Sequence, residues 1–257
     1  SKSVQECAGG NHVLGHCSGR MELANGAFRA SDGAPAVRDD LSRKYRPGQS
    51  VGVVGKTGCG KSTLMRLLLG FEKPQKGAVL YDGRGIETLD VASLRRNIGT
   101  VLQDGKLFTG DIFSNIVVAA PWLTMEDAWE AAELAGIADD IRAMPMGMNT
   151  MVSEGAGGIS GGQRQRILIA RAVAPKPKVL FFDEATSALD NVTQRQVSEA
   201  LDRMKCTRII VAHRLSTIRA CDRIIVLDGG RVVEDGTYEE LCALGGVFAE
   251  LVERQTM

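Results

Sequence analysis

The sequence has no apolar run long enough to cross a membrane, which takes roughly 20 consecutive apolar residues. Its longest candidates, 116–123 and 224–227, have the length of buried core segments. The first residues, SKSVQECAGG, also lack the apolar segment of a secretory signal peptide. If the protein works at a membrane, we therefore expect the membrane-spanning part to lie on another chain or on a part of the protein that these residues do not include.

Paired cysteines and an excess of one charge are missing as well. The six cysteines are scattered without a CxxC pair, and Cys59 lies in a glycine-rich loop where a disulfide would be disruptive. We therefore expect reduced thiols, as in cytosolic proteins. Lysine plus arginine and aspartate plus glutamate number 31 each. This balance favours no polyanionic partner, so we expect no nucleic-acid binding, although a local basic site for a phosphate remains compatible with it.

The length and composition that are present suit one large globular domain. The chain has 257 residues, of which 44% are hydrophobic and 24% are charged. Residues 1–19 show no sustained period and are predicted to be a linker or disordered end, with the folded domain at 20–257. Weak alternation and turn signals between 20 and 49 predict short antiparallel strands.

Short apolar runs separated by helical patterns predict a doubly wound α/β core with a parallel sheet. The predicted strands are 50–54, 98–102, 179–182, 209–212 and 224–227, and the first helix is 61–69.

Between 110 and 160 the pattern becomes all-helical. Thr124 begins a capping-box-like helix, and a second short helix covers 139–144. This predicts a helical subdomain at about 111–168, inserted between strands of the core. Near the end of the chain, Thr237 is predicted to cap one last amphipathic helix.

The strongest chemical signal is the sequence GKTGCGKS at 55–62, a complete GxxxxGK[ST] motif between a predicted strand and a predicted helix. Glycines let the backbone wrap a phosphate, and the helix N-terminus favours its negative charge. Lys61 is expected to reach the β- and γ-phosphates, and the Ser62 hydroxyl to bind Mg²⁺. The sequence thus predicts a nucleoside triphosphate site.

Two further motifs complete this site. The run VLFFDE at 179–184 is an apolar strand that ends in Asp183, placed to bind Mg²⁺, and Glu184, placed to polarise a water. The sequence ISGGQ at 159–163 precedes an apolar-rich helix and forms another helix N-terminus that can take a phosphate.

In their order along the chain, these motifs resemble the ATP-binding domains of ABC transporters from about residue 21 to residue 255. Residues 55–62 match the Walker A motif, 159–163 the signature motif, 179–184 the Walker B motif and 187–190 the D-loop. Gln103 matches the Q-loop and His213 the switch histidine. The resemblance implies a P-loop NTPase core with a mostly parallel sheet, an N-terminal antiparallel β subdomain and an all-helical insertion that carries the signature.

The resemblance also implies a role for each matched residue. Catalysis falls to Glu184 as the general base, with His213 and Lys61 on the γ-phosphate. Mg²⁺ is bound by Ser62, Gln103 and Asp183. The nucleotide-binding residues are Gly55, Lys56, Thr57, Gly58, Cys59, Gly60, Lys61, Ser62, Thr63, Gln103 and, for the adenine, Phe28. The residues implied to act on the ATP of a second copy are Ser160, Gly161, Gly162 and Gln163, with Asp190 along the dimer seam.

The adenine contact is the weakest part of the match. The family usually places an aromatic residue about 25 residues before the Walker A glycine, where this sequence has Ala30, with Phe28 two residues earlier. Either Phe28 substitutes for that aromatic residue, the register differs around residues 39–40, or base stacking is weak.

Softer motifs are similar to those of exporters. The acidic segment 152–157, DEATSALD at 183–190 and AHRLST at 212–217 are exporter-like, and 144–148 with 67–74 resembles the NHLM-type bacteriocin or leader-peptide exporters. The resemblance implies a second ATPase domain, in a homodimer, and transmembrane helices of the same transporter as partners. It implies ATP and Mg²⁺ as cofactors and the cytoplasmic face of a bacterial plasma membrane as location, with this fragment soluble. The alternatives are a lipid or drug exporter, or a non-transport ABC ATPase.

Overall fold

A computed structural model gives the fold. It describes the backbone at residues 4–6, 12–14, 21–28, 37–45, 48–55, 76–81, 84–85, 98–102, 105–155, 158–183, 189–228 and 231–257. Side chains are described within 48–55, 98–102, 105–155, 158–183, 189–228 and 232–257. Elements are numbered along these residues, and no helix among them is both long and apolar enough to cross a bilayer.

The centre of the fold is a six-stranded sheet with the order β14-β13-β5-β12-β11-β8. Its strands are β5 Ser50–Gly55, β8 Ile98–Val101, β11 Val179–Asp183, β12 Thr207–Val211, β13 Arg223–Asp228 and β14 Arg231–Gly236. All neighbours are parallel except β14, which pairs antiparallel with β13 at the edge. Helices cover a parallel sheet on both faces, so its strands are buried on both sides. Such strands consist of almost continuous apolar residues, as the apolar runs of this sequence do. The α/β fold with a mostly parallel sheet is confirmed.

The strand register brings the ends of three central strands together. Val53 of β5 lies opposite Val211 of β12, and Val211 lies opposite Asp183 of β11. Because these strands are parallel and adjacent, their carboxyl ends form one edge of the sheet, where open α/β sheets bind ligands.

A second, antiparallel sheet has the order β4-β3-β6-β7. Its strands are β3 Met21–Phe28, β4 Val37–Tyr45, β6 Lys76–Tyr81 and β7 Arg84–Gly85. This confirms the N-terminal antiparallel strands and adds two strands that come after the Walker A motif. Residues 1–19 contain two short strands, β1 Val4–Glu6 and β2 His12–Leu14, which pair antiparallel. The extent of the linker therefore stays a prediction.

The helical part lies between two short paired strands, β9 Gly110–Asp111 and β10 Met151–Val152. Its helices are α1 Ile112–Val117, α2 Met125–Leu134, α3 Ala138–Arg142 and a 3-10 turn at Gly147–Asn149. Thr124 caps α2 as expected, because its side chain accepts from the Asp127 amide while Asp127 accepts from the Thr124 amide. The boundaries of a separate subdomain stay a prediction.

The signature helix is α4, Gly161–Val173. Its apolar face, including Ile167 and Ala170, packs against the helices of the 110–152 region in one buried cluster that also contains Ile112 and Ile141. The signature motif is thus attached to the helical part by ordinary core packing.

The remaining helices are α5 Asn191–Arg203, α6 Leu215–Ala220, α7 Tyr238–Leu244 and α8 Val247–Thr256. The single last helix expected after Thr237 is wrong: it is divided in two. Gly245 adopts the left-handed conformation, with φ of 68°, and ends α7. Glycine takes this conformation without the steric cost that a side chain adds.

Candidate nucleotide site

Asp183 and His213 meet at the carboxyl edge of the central sheet. Asp183 is the last residue of β11, and His213 follows the end of neighbouring β12 by two residues. The His213 Nε2 lies 4.0 Å from Asp183 Oδ1, with side chains 44% and 18% exposed, respectively. Gly55, the first Walker A residue, ends β5 on the other side of β12. The arrangement places a carboxylate and an imidazole beside the start of the phosphate loop.

The loop that carries His213 is fixed from two directions. Gln255 on α8 donates from Nε2 to the His213 carbonyl at 3.3 Å. Arg214 donates from Nη1 to Gln194 Oε1 on α5 at 2.6 Å, and Gln194 in turn donates to the Thr217 hydroxyl. These contacts position the backbone beside the imidazole without engaging its ring nitrogens.

Several predicted site residues lie outside the described residues. They are Lys56, Thr57, Gly58, Cys59, Gly60, Lys61, Ser62, Thr63, Gln103 and Glu184. Phe28 is the last residue of β3 and pairs with Val37, and its side chain, like Ala30, lies outside the described part. Their roles stay predictions.

Ser160 is the N-cap of α4. Its Oγ accepts from the Gln163 amide at 3.0 Å, and Gln163 Oε1 accepts from the Ser160 amide at 2.9 Å. A hydroxyl that accepts through a lone pair keeps its O–H as a donor. The cap thus leaves the Ser160 O–H and the amides of Gly161 and Gly162 at a helix N-terminus, a favourable arrangement for an anion.

Gln163 is held within its own chain. Its Nε2 donates to Asp140 Oδ2 on α3 at 3.1 Å, and Arg166 Nη2 donates to the same oxygen at 3.0 Å. The hydrogen bond from Arg166, followed by that from Gln163, holds the pKa of Asp140 below its usual range against the opposing effect of burial. The contacts described for Gln163 are therefore those of a residue that positions Ser160.

Asp190 is the N-cap of α5. Its Oδ1 accepts from the Thr193 amide at 2.7 Å, and this hydrogen bond lowers the pKa of the exposed carboxylate. Asp190 is thus an exposed helix cap, and its place along a dimer seam stays a prediction.

Sequence reasoning missed the residues that support the site. Gln255 and Gln194 gave no local signal, because each reaches its partner across more than 20 positions of the chain. Arg164 and Arg171, which bind the backbone of residues 105 and 106, did give a local signal. They are seven residues apart on α4, which puts them on one face of the helix.

Comparisons with known proteins identify the family of the chain. The family model described as ABC transporter matches residues 38–187, more than half of the chain. The alpha-hemolysin translocation ATP-binding protein HlyB of Escherichia coli O157:H7 is 44% identical over 234 residues, which are 90% of this chain and 33% of the relative. The cyclolysin secretion/processing ATP-binding protein CyaB of Bordetella pertussis is 45% identical over 251 residues, 96% of this chain and 35% of the relative.

A solved structure agrees as well. A bacterial Atm1-family ABC exporter with ATP bound superposes with a TM-score of 0.88 at 35% identity, over 99% of this chain and 45% of that chain. The chain thus spans about a third of the length of the curated relatives it matches. With the motif order and the Asp183–His213 edge, these matches show that the chain belongs to the ABC transporter family, as an ATP-binding and ATP-hydrolysing domain of the exporter type.

Proposed function

We propose that this domain powers the export of a protein or peptide by binding ATP with Mg²⁺ between two copies of itself and hydrolysing it there. The observation that carries the proposal is the meeting of Asp183 and His213, 4.0 Å apart, at the sheet edge where Gly55 begins the phosphate loop. In the proposed site, Asp183 provides an oxygen for the metal and His213 an imidazole for the γ-phosphate, at the edge from which the phosphate loop starts.

The donor set fits Mg²⁺. This ion prefers oxygen ligands and is usually held by one or two carboxylates together with substrate phosphates. Asp183 supplies such a carboxylate, and Ser62 and Gln103 are its proposed companions. When bound, Mg²⁺ neutralises charge on the phosphate oxygens.

The chain's own groups then have separate tasks. Lys61 and the amides of the phosphate loop hold the β- and γ-phosphates, and His213 donates to the γ-phosphate. Glu184 orients the attacking water and accepts its proton. From the second copy, the Ser160 O–H and the first amides of α4 complete the γ-phosphate site, and Asp190 lies along the seam.

The remaining partners follow from the size of the relatives. Because those proteins are about three times as long as the aligned region, we propose that transmembrane helices of the same transporter complete the protein. The domain would then lie on the cytoplasmic face of a bacterial plasma membrane. Relatives named for hemolysin and cyclolysin favour a polypeptide cargo, and the leader-peptide or bacteriocin subtype is its narrower form.

Replacing Glu184 tests the proposal. We expect Glu184→Gln to keep ATP binding and to lose most hydrolysis, because an amide cannot act as a general base. ATP trapped in this variant should stabilise a dimer, measured by sedimentation alongside phosphate release. Glu126→Gln, an exposed change of the same chemistry on α2, is the matched control. Turnover by Glu184→Gln at the rate of the control would contradict the assigned role.

A further inference from the structure

A network of side chains holds the backbone that follows the Q-loop glutamine. Arg164 of the signature helix donates from Nη2 to the Gly105 carbonyl at 2.8 Å. The same guanidinium donates from Nε to both oxygens of Glu154, at 2.8 and 3.0 Å. Glu154 Oε1 in turn accepts from the Leu107 amide at 3.0 Å. The Arg164–Glu154 ion pair therefore binds two backbone groups, the Gly105 carbonyl and the Leu107 N–H.

A second group, two turns further along the same helix, holds the next residues. Arg171 Nη1 donates to the Lys106 carbonyl at 2.9 Å, and its guanidinium lies over the Phe108 ring, 5.9 Å from the centroid. The fully buried Asn115 accepts from the Phe108 amide at 3.0 Å and donates to the Phe108 carbonyl at 3.1 Å. Arg171 Nη2 also donates to Asn115 Oδ1, so the signature helix, α1 and residues 105–108 are joined.

Segment 105–108 is thus anchored by side chains where a loop would ordinarily be solvated. It forms no strand, yet five polar groups of its backbone are bound by charged or amide side chains. Hydrogen bonds that involve a charged partner are stronger than neutral ones. All five groups lead to α4 directly or through a residue bonded to it, so this segment and the signature helix form one unit.

In the sequence, a residue predicted to contact nucleotide lies near each part of this unit. Gln103 precedes the segment by two residues, and Ser160 caps the helix four residues before Arg164. Those two residues serve different ATP molecules in the proposed dimer: Gln103 that of its own chain, and Ser160 that of the partner.

We propose that Glu154 and Arg164 are positioning residues that clamp the Q-loop to the signature helix, so that Mg²⁺-ATP at one site sets the position of the serine that serves the other site. This inference rests on the proposed function. The clamp is more than a surface ion pair, which is worth little when exposed, because Glu154 and Arg164 are only 34% and 31% exposed and each also bonds backbone.

The first test is Glu154→Gln, read out as the Mg²⁺ concentration that gives half-maximal ATPase activity. The amide keeps one acceptor oxygen but loses the negative charge and the second acceptor, and its NH₂ would face the Arg164 Nε–H. The clamp would therefore weaken, so ordering Gln103 around Mg²⁺ would carry an added entropic cost. We expect the half-maximal Mg²⁺ concentration to rise and kcat to fall, each several-fold, while ATP binding without Mg²⁺ stays unchanged. Glu133→Gln, which removes an exposed ion pair with Arg142, is the matched control.

A charge swap separates the clamp from a simple ion pair. In Glu154→Arg combined with Arg164→Glu the pair can re-form, but a guanidinium then faces the Leu107 N–H and a carboxylate faces the Gly105 carbonyl. We expect the swap to keep the thermal unfolding midpoint of Glu154→Gln or better and still to show the raised Mg²⁺ requirement. Rescue of the Mg²⁺ dependence by the swap, or a wild-type dependence in Glu154→Gln, would overturn the clamp.

These outcomes are distinct from failure of the proposed function. If the wild-type chain lacked Mg²⁺-dependent hydrolysis, or if Glu184→Gln kept it, the catalytic assignment itself would be wrong. If wild type hydrolyses ATP, Glu184→Gln does not, and Glu154→Gln matches wild type, the clamp alone is wrong.

Discussion

Asp140 shows how a single carboxylate supports the signature motif from outside it. Its carboxylate accepts hydrogen bonds from Arg166 and Gln163, and its pKa is lowered chiefly by the hydrogen bond from Arg166. A carboxyl whose pKa is lower in the folded state stabilises the fold most above its unfolded pKa of about 3.9, and this contribution disappears as the pH falls through the folded value. The stabilisation from Asp140 is therefore complete at neutral pH and lost in acid.

At the residue scale we expect Asp140→Asn to lower the free energy of unfolding at pH 7 by about 1.5–3 kcal/mol, the range for a hydrogen bond to a charged group. The loss relative to wild type should shrink as the pH falls below about 4, because wild-type Asp140 then becomes neutral too. Urea unfolding across this pH range measures both quantities. The neighbouring Asp139→Asn, at a side chain that is 97% exposed, is the control and should change little. An equal loss in both variants would contradict the role of Asp140.

At the scale of elements, the break between α7 and α8 matters for the site because α8 carries Gln255 to the His213 carbonyl. The start of α8 is held by the buried Glu234, whose carboxylate accepts from the Phe248 amide at 3.3 and 3.4 Å. A negative charge at a helix N-terminus is favourable. A Cβ added at Gly246 would meet Glu234 Oε1, whereas one added at Gly245 would meet nothing within 4 Å.

We therefore expect Gly246→Ala to lower the free energy of unfolding by about 1–3 kcal/mol, as overpacking does. It should also reduce ATPase activity through the loosened α8. Gly245→Asn should have a small effect, because asparagine tolerates the left-handed conformation at this open position. Calorimetric unfolding and phosphate release on both variants check the pair. A larger loss in Gly245→Asn than in Gly246→Ala would show that backbone conformation, not the contact with Glu234, controls this junction.

The same elements show what the sequence could predict. The capping box at Thr124 and the apolar strands such as 179–183 depend on neighbouring residues, so local pattern was sufficient. The addition of β6 to the N-terminal sheet pairs Met21 with Tyr81, a long-range choice that no local pattern encodes. The double glycine at 245–246 was a local signal, but the apolar periodicity that continues through it favoured one helix.

In the candidate site, too, local patterns predicted some features, and others depend on long-range contacts. The resemblance assigned Asp183 and His213 to one nucleotide site, and both follow predicted strands. Because parallel strands share an edge, their approach agrees with the local patterns. The residues that support the loop of His213 could not be predicted, because Gln255 and Gln194 reach this loop only through long-range contacts of the folded chain. The anchoring of segment 105–108 likewise depends on tertiary contacts, and only the spacing of its two arginines is visible in the sequence.

At the scale of the whole molecule, one chain offers only part of each proposed ATP site. Ser160 and the amides behind it face outward at the start of α4, in a motif held to α3 through Gln163 and Asp140. Without attached membrane helices, the effective concentration that keeps two domains together is lost. We therefore expect specific activity to rise steeply with protein concentration at saturating ATP.

The most direct test of this composite site is to mix two inactive variants. In the proposed site, Lys61→Ala removes the charge that holds the phosphates in its own chain, and Ser160→Arg blocks the ATP site of the partner. In a mixed dimer both lesions fall on one site and leave the other intact. Phosphate release should be near background for each variant alone and should recover on mixing, up to about one intact site per mixed dimer. A mixture that dimerises with ATP yet stays inactive, or full activity in a dilute monomer, would contradict a site shared between two copies.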